Sequence, residues 1–154
     1  MRKIKDKLFS LCNNNLLVSA VYFGAGLYLF CGFYSSAVQS LGNYLPSIDD
    51  AWIYFRYAKN LVQLGEFSFN PVFPFSGITG FVWVFMIAFC YKLFGDFLLP
   101  ALILNFIFQI LSAFLAYKIT RSLLNQKNSP LAFVAGFSIL TFGWFTWSVF
   151  SGME

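Results

Sequence analysis

Few residues in this chain could do chemistry, and two of them stand side by side. Asp49 and Asp50 open the stretch SIDDAWIYFRYAKN, residues 47–60, and Arg56 and Lys59 follow within three helical turns. The chain has no histidine, which excludes Ser-His-Asp and Cys-His catalysis and the usual zinc sites. A general base must then be a carboxylate or a perturbed Lys, Tyr or Cys. Cys12, Cys31 and Cys90 have no metal-ligand spacing and sit in or beside apolar runs, so they read as small buried hydrophobes. The adjacent carboxylates are the feature that asks for an explanation.

The elements that must hold them are written in the composition. Of 154 residues, 59% are hydrophobic and 10% charged, against about 25% charged in soluble domains, and mean hydropathy is +0.71. This is the composition of an all-α integral membrane protein. The uncharged stretches 16–38, 98–117 and 131–150 each reach the roughly 20 apolar residues that a spanning helix needs. A fourth stretch, 77–91, is shorter. The basic start MRKIKDK resembles a signal-peptide n-region, but the following apolar run exceeds the usual h-region of about 7–15 residues and no small-residue cleavage site follows. An uncleaved first span is the better reading.

Charge placement orders these segments. Arg2, Lys3, Lys5 and Lys7 put the N-terminus on the cytoplasmic side. If 77–91 spans, the basic residues divide five inside and five outside. If it lies in the interface or re-enters, Lys118, Arg121 and Lys127 become cytoplasmic and seven of the ten basic residues lie inside, as the positive-inside rule asks. The second arrangement puts Asp49, Asp50 and Glu154 on one outer face. The expected organisation is a cytoplasmic basic N-terminus at 1–15 and a span at 16–38. An outer loop at 39–97 carries an amphipathic helix at 49–64 and an interfacial or re-entrant helix at 77–92. Then come a span at 98–117, a cytoplasmic basic loop at 118–130, a span at 131–150, and an outer-face segment at 151–154. Basic residues do not continue into a surface beyond the N-terminal cluster, so nucleic acid is not an expected partner.

Within the loop, the spacing predicts a helix from Asp49 to Leu64 that stops at Gly65. At about 100° per residue, Asp49, Trp52, Arg56, Lys59, Asn60 and Gln63 share a polar face. Ala51, Tyr54, Ala58, Leu61 and Val62 share the opposite one, as in a helix that lies on a membrane surface. Asp50 falls at the flank beside Tyr57 and Leu61, where aromatic surface would raise its pKa and improve it as a base. Ser47-Ile48-Asp49-Asp50 also fits a helix-capping pattern, and acids in a first turn favour the macrodipole. Arg56 and Lys59 fit a headgroup-facing side equally well. The residues alone leave capping and catalysis both open.

The run DDAWIYFRYAKNLVQLGEFSFNP, followed by SGITGFVW and later SGME, resembles the N-terminal part of the C-type membrane glycosyltransferases. It is most similar to their bacterial cell-wall arabinofuranosyltransferase-like branch, and more distantly to protein O-mannosyltransferases, lipid A aminoarabinose transferases and the bacterial oligosaccharyltransferase. The matching positions are Asp49 and Asp50, then 55–60 (FRYAKN), then Phe69-Asn70-Pro71. Gly77, Thr79 and Trp83 match a Gly-x-Thr-x-x-x-Trp pattern, and Ser151-Gly152-Met153-Glu154 matches a second outer-face motif. Ser76 departs from the pattern, where an acidic residue is common.

The resemblance implies a membrane-embedded module that passes a sugar from a polyprenyl-phosphate donor to a hydroxyl acceptor (a cell-envelope glycan, lipid or protein) outside the bacterial cytoplasmic membrane, with inversion. It implies Asp50 as general base and Asp49 and Glu154 as supports for the acceptor or for a divalent cation such as Mg or Mn. Arg56 or Lys59 would meet the donor phosphate. The chain stops inside the second motif, so a fragment inactive by itself is expected. Two other classes remain open: a non-catalytic multipass protein that binds lipid or a partner, and a transporter fragment. The second would carry ionisable groups inside its spans, and these spans carry none.

Overall fold

The computed structural model describes residues 10–41, 49–71, 77–124 and 129–151. Every regular element among them is helical. We label the helices α1 (Asn15–Leu41), α2 (Asp49–Leu64), α3 (Phe81–Phe94), α4 (Leu98–Leu123), α5 (Ser129–Thr141) and α6 (Gly143–Phe150). Two of them are long and apolar enough to cross a membrane: Asn15–Gln39 within α1, and α4. The expected third span is not one straight helix. Residues 130–141 and 143–150 pass the same test only as a pair, bent by 50°. Among the described residues there are therefore two such helices, or three if the bent pair is one span.

Local chemistry fixes these boundaries. Asn14 caps α1, its Oδ1 accepting from the N–H groups of Leu16 and Leu17 at 3.0 and 3.3 Å. Asp96 caps α4, accepting from Phe97, Leu98 and Leu99 N–H at 2.8, 3.1 and 3.3 Å. Its charge complements the positive end of the helix. Pro100 falls in the first turn of α4, where its missing N–H costs nothing. Gly65 and Gly95 follow α2 and α3 with φ +72° and +70°, the left-handed conformation that ends helices and suits glycine.

The bend at Phe142 has identifiable causes. Ser138 and Thr141 donate back to the Val134 and Phe137 carbonyls at 2.8 and 3.2 Å, a contact that bends helices. Gly143 follows at once. The Leu140 carbonyl accepts instead from the Thr146 hydroxyl at 2.7 Å, which replaces a backbone bond, as a helix in an apolar setting requires.

Two compact units make up the chain. One comprises Met1–Ser36 and Phe106–Trp147, with Val18, Tyr22, Ala113, Tyr117, Ala132 and Leu140 at its centre. Here polar side chains serve packing. The Tyr22 hydroxyl donates to the Phe133 carbonyl at 2.8 Å, and the Tyr117 hydroxyl donates to the Cys12 carbonyl at 2.9 Å. Arg121 Nη1 donates to Asn15 Oδ1 and to the Tyr117 hydroxyl, both at 3.0 Å. Gly136 lies so close to Tyr22 and the Ala113 carbonyl that a methyl group would overlap both.

The other unit comprises Ala37–Asn105 and Ser148–Glu154. Its core is the seam between α2 and α3. Ala51, Tyr54, Phe55, Tyr57 and Ala58 of α2 bury against Trp83, Val84, Ile87 and Ala88 of α3. The Gln63 amide donates to the Tyr91 hydroxyl at 3.0 Å, tying the C-terminal ends of the two helices. Gly77 N–H donates to the Tyr57 hydroxyl at 3.3 Å, which brings the Gly77–Trp83 segment onto α2. Asn105 of α4, nearly buried, donates to the Val149 carbonyl at 3.0 Å.

Candidate functional site

The candidate site is built on α2 and the chain that returns over it. After Gly65 the backbone doubles back along the polar side of the helix. Asn60 holds it there. Its Nδ2 donates to the Ser68 carbonyl at 2.8 Å and the Phe69 carbonyl at 3.0 Å, and the residue is only 5% exposed. Arg56 Nε donates to the same Phe69 carbonyl at 3.4 Å. Three side-chain N–H bonds thus converge on two successive carbonyls, which fixes where the Phe69 ring and the Asn70 amide stand.

Above this staple is a cavity of about 680 Å³, lined by Trp52, Ile53, Phe55, Arg56, Lys59, Phe69, Asn70 and Phe97. Ligand sites typically measure about 300–1,000 Å³. The aromatic wall is ordered by ring contacts. Phe55 and Phe97 stack at 4.8 Å, and Trp52 stands edge-on to both, at 5.8 and 6.5 Å. Lys59 makes no hydrogen bond or ion pair among the described residues, and Arg56 makes only its bond to Phe69. Two cations and four aromatic side chains therefore face one space. Such a site can take an anion through charge-assisted hydrogen bonds and a flat apolar or sugar group through the rings.

The structure brings some expected site residues together and leaves others apart. Arg56 and Lys59 line the same cavity. Asp50 is exposed and is not among the lining residues, in contrast to the expected position against aromatic surface. Asp49 begins α2, but its side chain lies outside the described residues, as do Glu154, Ser76 and Ser47, the first residue of the expected capping pattern. Among the described residues no group of three His, Cys, Asp or Glu side chains could hold a metal ion. The proposed cation set of Asp49, Asp50 and Glu154 has only Asp50 described in full. Burial pushes the Cys12 thiol above its ordinary pKa, which lowers its nucleophilic fraction at neutral pH.

From the sequence, Asn60, Phe69 and Asn70 are only motif positions and Trp52 only a member of the polar face, and nothing there singles out Phe97. Asn60 carried one usable signal, a carboxamide among charged residues on the polar face, followed by a Gly65 turn and a short return. Nothing in the sequence links Phe97 to Trp52. Trp83, part of the Gly-x-Thr-x-x-x-Trp pattern, is buried in the seam, and its indole N–H has no hydrogen-bond partner among the described residues. The chain matches no protein-family model, no curated protein and no solved structure.

Proposed function

We propose that this chain is part of an integral membrane glycosyltransferase of the C type, acting on a polyprenyl-phosphate-linked sugar at the outer face of a bacterial cytoplasmic membrane. The observation that carries the reading is the cavity on α2, where Arg56 and Lys59 face a wall of Trp52, Phe55, Phe69 and Phe97. A lipid-phosphate sugar presents an anion flanked by a sugar and by flat prenyl units, and each has a complement there. A prenyl phosphate is already an activated leaving group, so its departure needs positive charge and hydrogen-bond donors near the phosphate. Arg56 and Lys59 supply these.

The acceptor hydroxyl needs one base on the opposite face of the sugar, which gives inversion by single displacement. Asp50 is assigned that role, with Asp49 and Glu154 supporting the acceptor or a divalent cation through oxygen ligands. Asp50 lies in the first turn of the helix that carries both cations at later turns, so one rigid element spaces base from phosphate.

A second reading, a multipass protein that binds a lipid phosphate without catalysis, is favoured by one observation: Asp50 does not line the cavity. Binding and turnover separate the two. The purified chain in lipid nanodiscs should bind farnesyl phosphate more tightly than farnesol, and Lys59→Ala should reduce that preference about tenfold, as for loss of a charge-assisted hydrogen bond. Equal binding of the phosphate and the alcohol by the unaltered chain removes both readings. Phosphate-selective binding without sugar transfer, in a longer chain containing this segment, leaves the second.

A further inference from the structure

Arg121, in the last turn of α4, has one engaged edge and one unused edge. Its Nη1 donates to the Asn13 carbonyl at 3.3 Å and to Asn15 Oδ1 and the Tyr117 hydroxyl, both at 3.0 Å. The guanidinium carbon lies 5.9 Å from the centroid of the Tyr117 ring, and the Tyr117 hydroxyl is itself tied to the Cys12 carbonyl. These contacts fix the plane of the guanidinium. All three acceptors are neutral, so its charge is uncompensated. On the opposite edge, Nε is buried and has no partner among the described residues, and Nη2 makes no bond among them either. The N–H of Nε and the N–H of Nη2 beside it run parallel and form the fork that matches two oxygens of one oxyanion. A buried donor on a charged group is costly to leave unsatisfied, so this edge calls for an anion.

The surroundings narrow the choice of anion. The acids of the chain are Asp6, Asp49, Asp50, Glu66, Asp96 and Glu154. Only Asp6 belongs to the same unit as Arg121, and it lies outside the described residues. Lys118 stands three residues before Arg121, and so beside it on the helix. It is exposed, its ammonium 5.9 Å from the Phe114 ring centroid, with no hydrogen bond among the described residues. Two adjacent cations therefore lack a countercharge there. The bonds from Tyr117 and Arg121 to Cys12, Asn13 and Asn15 pin the end of α4 to the start of α1. Both helices are long and apolar enough to cross a membrane, so these two ends meet at one membrane surface. Leu115 and Leu111, one and two turns before Lys118, are 58% and 50% exposed. At about 100° per residue they lie within about 60° of Lys118 around the helix. Paired cations at the end of a span, above an apolar track, suit a lipid whose phosphate sits at the surface and whose acyl chain follows the helix.

We propose that Arg121 and Lys118 form a binding site for an anionic phospholipid, its headgroup phosphate taken bidentate by Arg121 Nε and Nη2 and its remaining charge met by Lys118. The lipid's first acyl segment lies along Leu115 and Leu111. The site stands at the joint of α1 and α4, so the bound phosphate neutralises the guanidinium that holds the joint. It is independent of the cavity on α2 and holds whatever that cavity binds.

The test uses the full chain in dodecyl maltoside, titrated with phosphatidylglycerol or with phosphatidylcholine of the same acyl chains. Lipid binding is read by native mass spectrometry. The Nε–H signals of Arg2, Arg56 and Arg121 are followed by proton–nitrogen NMR. Phosphatidylglycerol should bind about tenfold more tightly than phosphatidylcholine, and the Arg121 Nε–H proton should move downfield as it binds. Arg121→Lys keeps the charge but loses the fork, and should weaken phosphatidylglycerol binding about tenfold. Lys118→Gln disturbs no described hydrogen bond, so it keeps the test open where Arg121→Lys fails to fold. It should weaken binding about threefold, as for an exposed ion pair, and leave the Arg121 shift in place. Equal binding of the two lipids overturns the proposal. So does a preference that survives both variants, which would assign it to the other basic residues. So does an Arg121 Nε–H signal that is downfield without lipid and returns upfield in Asp6→Asn, which would make Asp6 the partner. Displacement of phosphatidylglycerol by millimolar inorganic phosphate, but not by sodium chloride of equal ionic strength, would make this a site for free phosphate and overturn the lipid.

Discussion

The two units use their polar side chains differently. In the unit of residues 1–36 and 106–147, hydroxyl, guanidinium and amide groups are turned on the protein itself. Tyr22 donates to Phe133, Tyr117 to Cys12, and Gln109 Nε2 to the Thr146 hydroxyl at 3.3 Å, which in turn donates to Leu140. Most of these groups are satisfied within the protein, as helices in an apolar setting require, although Gln109 Oε1 and Arg121 Nε are buried without a partner among the described residues. In the unit of residues 37–105 and 148–154, Asn60 and Arg56 also bond to backbone, but the result is a loop held open over a cavity with Lys59 at its wall. One set of polar groups closes a structure, and the other keeps a space available. Function is therefore to be sought on α2, and stability in the packing of α1, α4 and α5.

The largest expected effect tests the functional half of this contrast. In an active enzyme containing this segment, Asp50→Asn should reduce sugar transfer by about 10²–10⁴-fold, the usual worth of a general base. Asparagine keeps the size and the ability to cap a helix, so expression and insertion should be unchanged. Turnover within a few-fold of the unaltered enzyme would assign Asp50 to the helix terminus alone.

Gly136→Leu should break the structural half. With Tyr22 and the Ala113 carbonyl already in the way of a single methyl group, overpacking of this kind costs about 1–3 kcal/mol or more. The expected readout is a lower midpoint for unfolding in mixed detergent. Selectivity for farnesyl phosphate over farnesol should survive wherever the protein remains folded. A loss of selectivity at full stability would show that the two units do not divide the labour in this way.

Asn60→Ala should give a smaller effect on the other side of the comparison. It removes two donors from the Ser68 and Phe69 carbonyls, at about 1–3 kcal/mol if those groups stay buried. Hydrogen exchange at residues 66–70 should rise, with little change in α1 or α4. Unaltered protection of the loop would mean that Arg56 and packing suffice to hold it. Tyr22→Phe should be the mildest change, about 0.6 kcal/mol, as for hydrogen bonds between membrane helices on average.

Much of the fold was legible because helices in a membrane are governed by local chemistry. Apolar length gave the candidate spans, and Gly65 gave the end of α2, since only the residue's own conformational range is at issue; the matching end of α3 at Gly95 is a finding of the structure. The two faces of α2 followed from period: Ala51, Tyr54 and Ala58 are buried and Trp52, Arg56 and Gln63 exposed, as the 3.6-residue repeat requires. The helix expected from residue 77 begins at Phe81: Gly77 to Gly80 is irregular, with a bend at Thr79, and Gly77 N–H is taken by the Tyr57 hydroxyl.

The sequence by itself determined the helical membrane class, the location of the charged helix and the shared face of Arg56 and Lys59. These depend on composition and on neighbours three or four residues apart. Tertiary structure alone decided that Asn60, on a polar face, is buried: a returning loop covers it, and sequence periodicity does not report what lies over a helix. It decided that Phe97 completes the wall begun by Trp52 and Phe55, a pairing across more than 40 residues of chain that no spacing rule reaches. It also decided that the segment 131–150 breaks at Phe142. The hydropathy there is continuous, and only the competition of Ser138, Thr141 and Thr146 for backbone carbonyls makes a bend cheaper than a straight span.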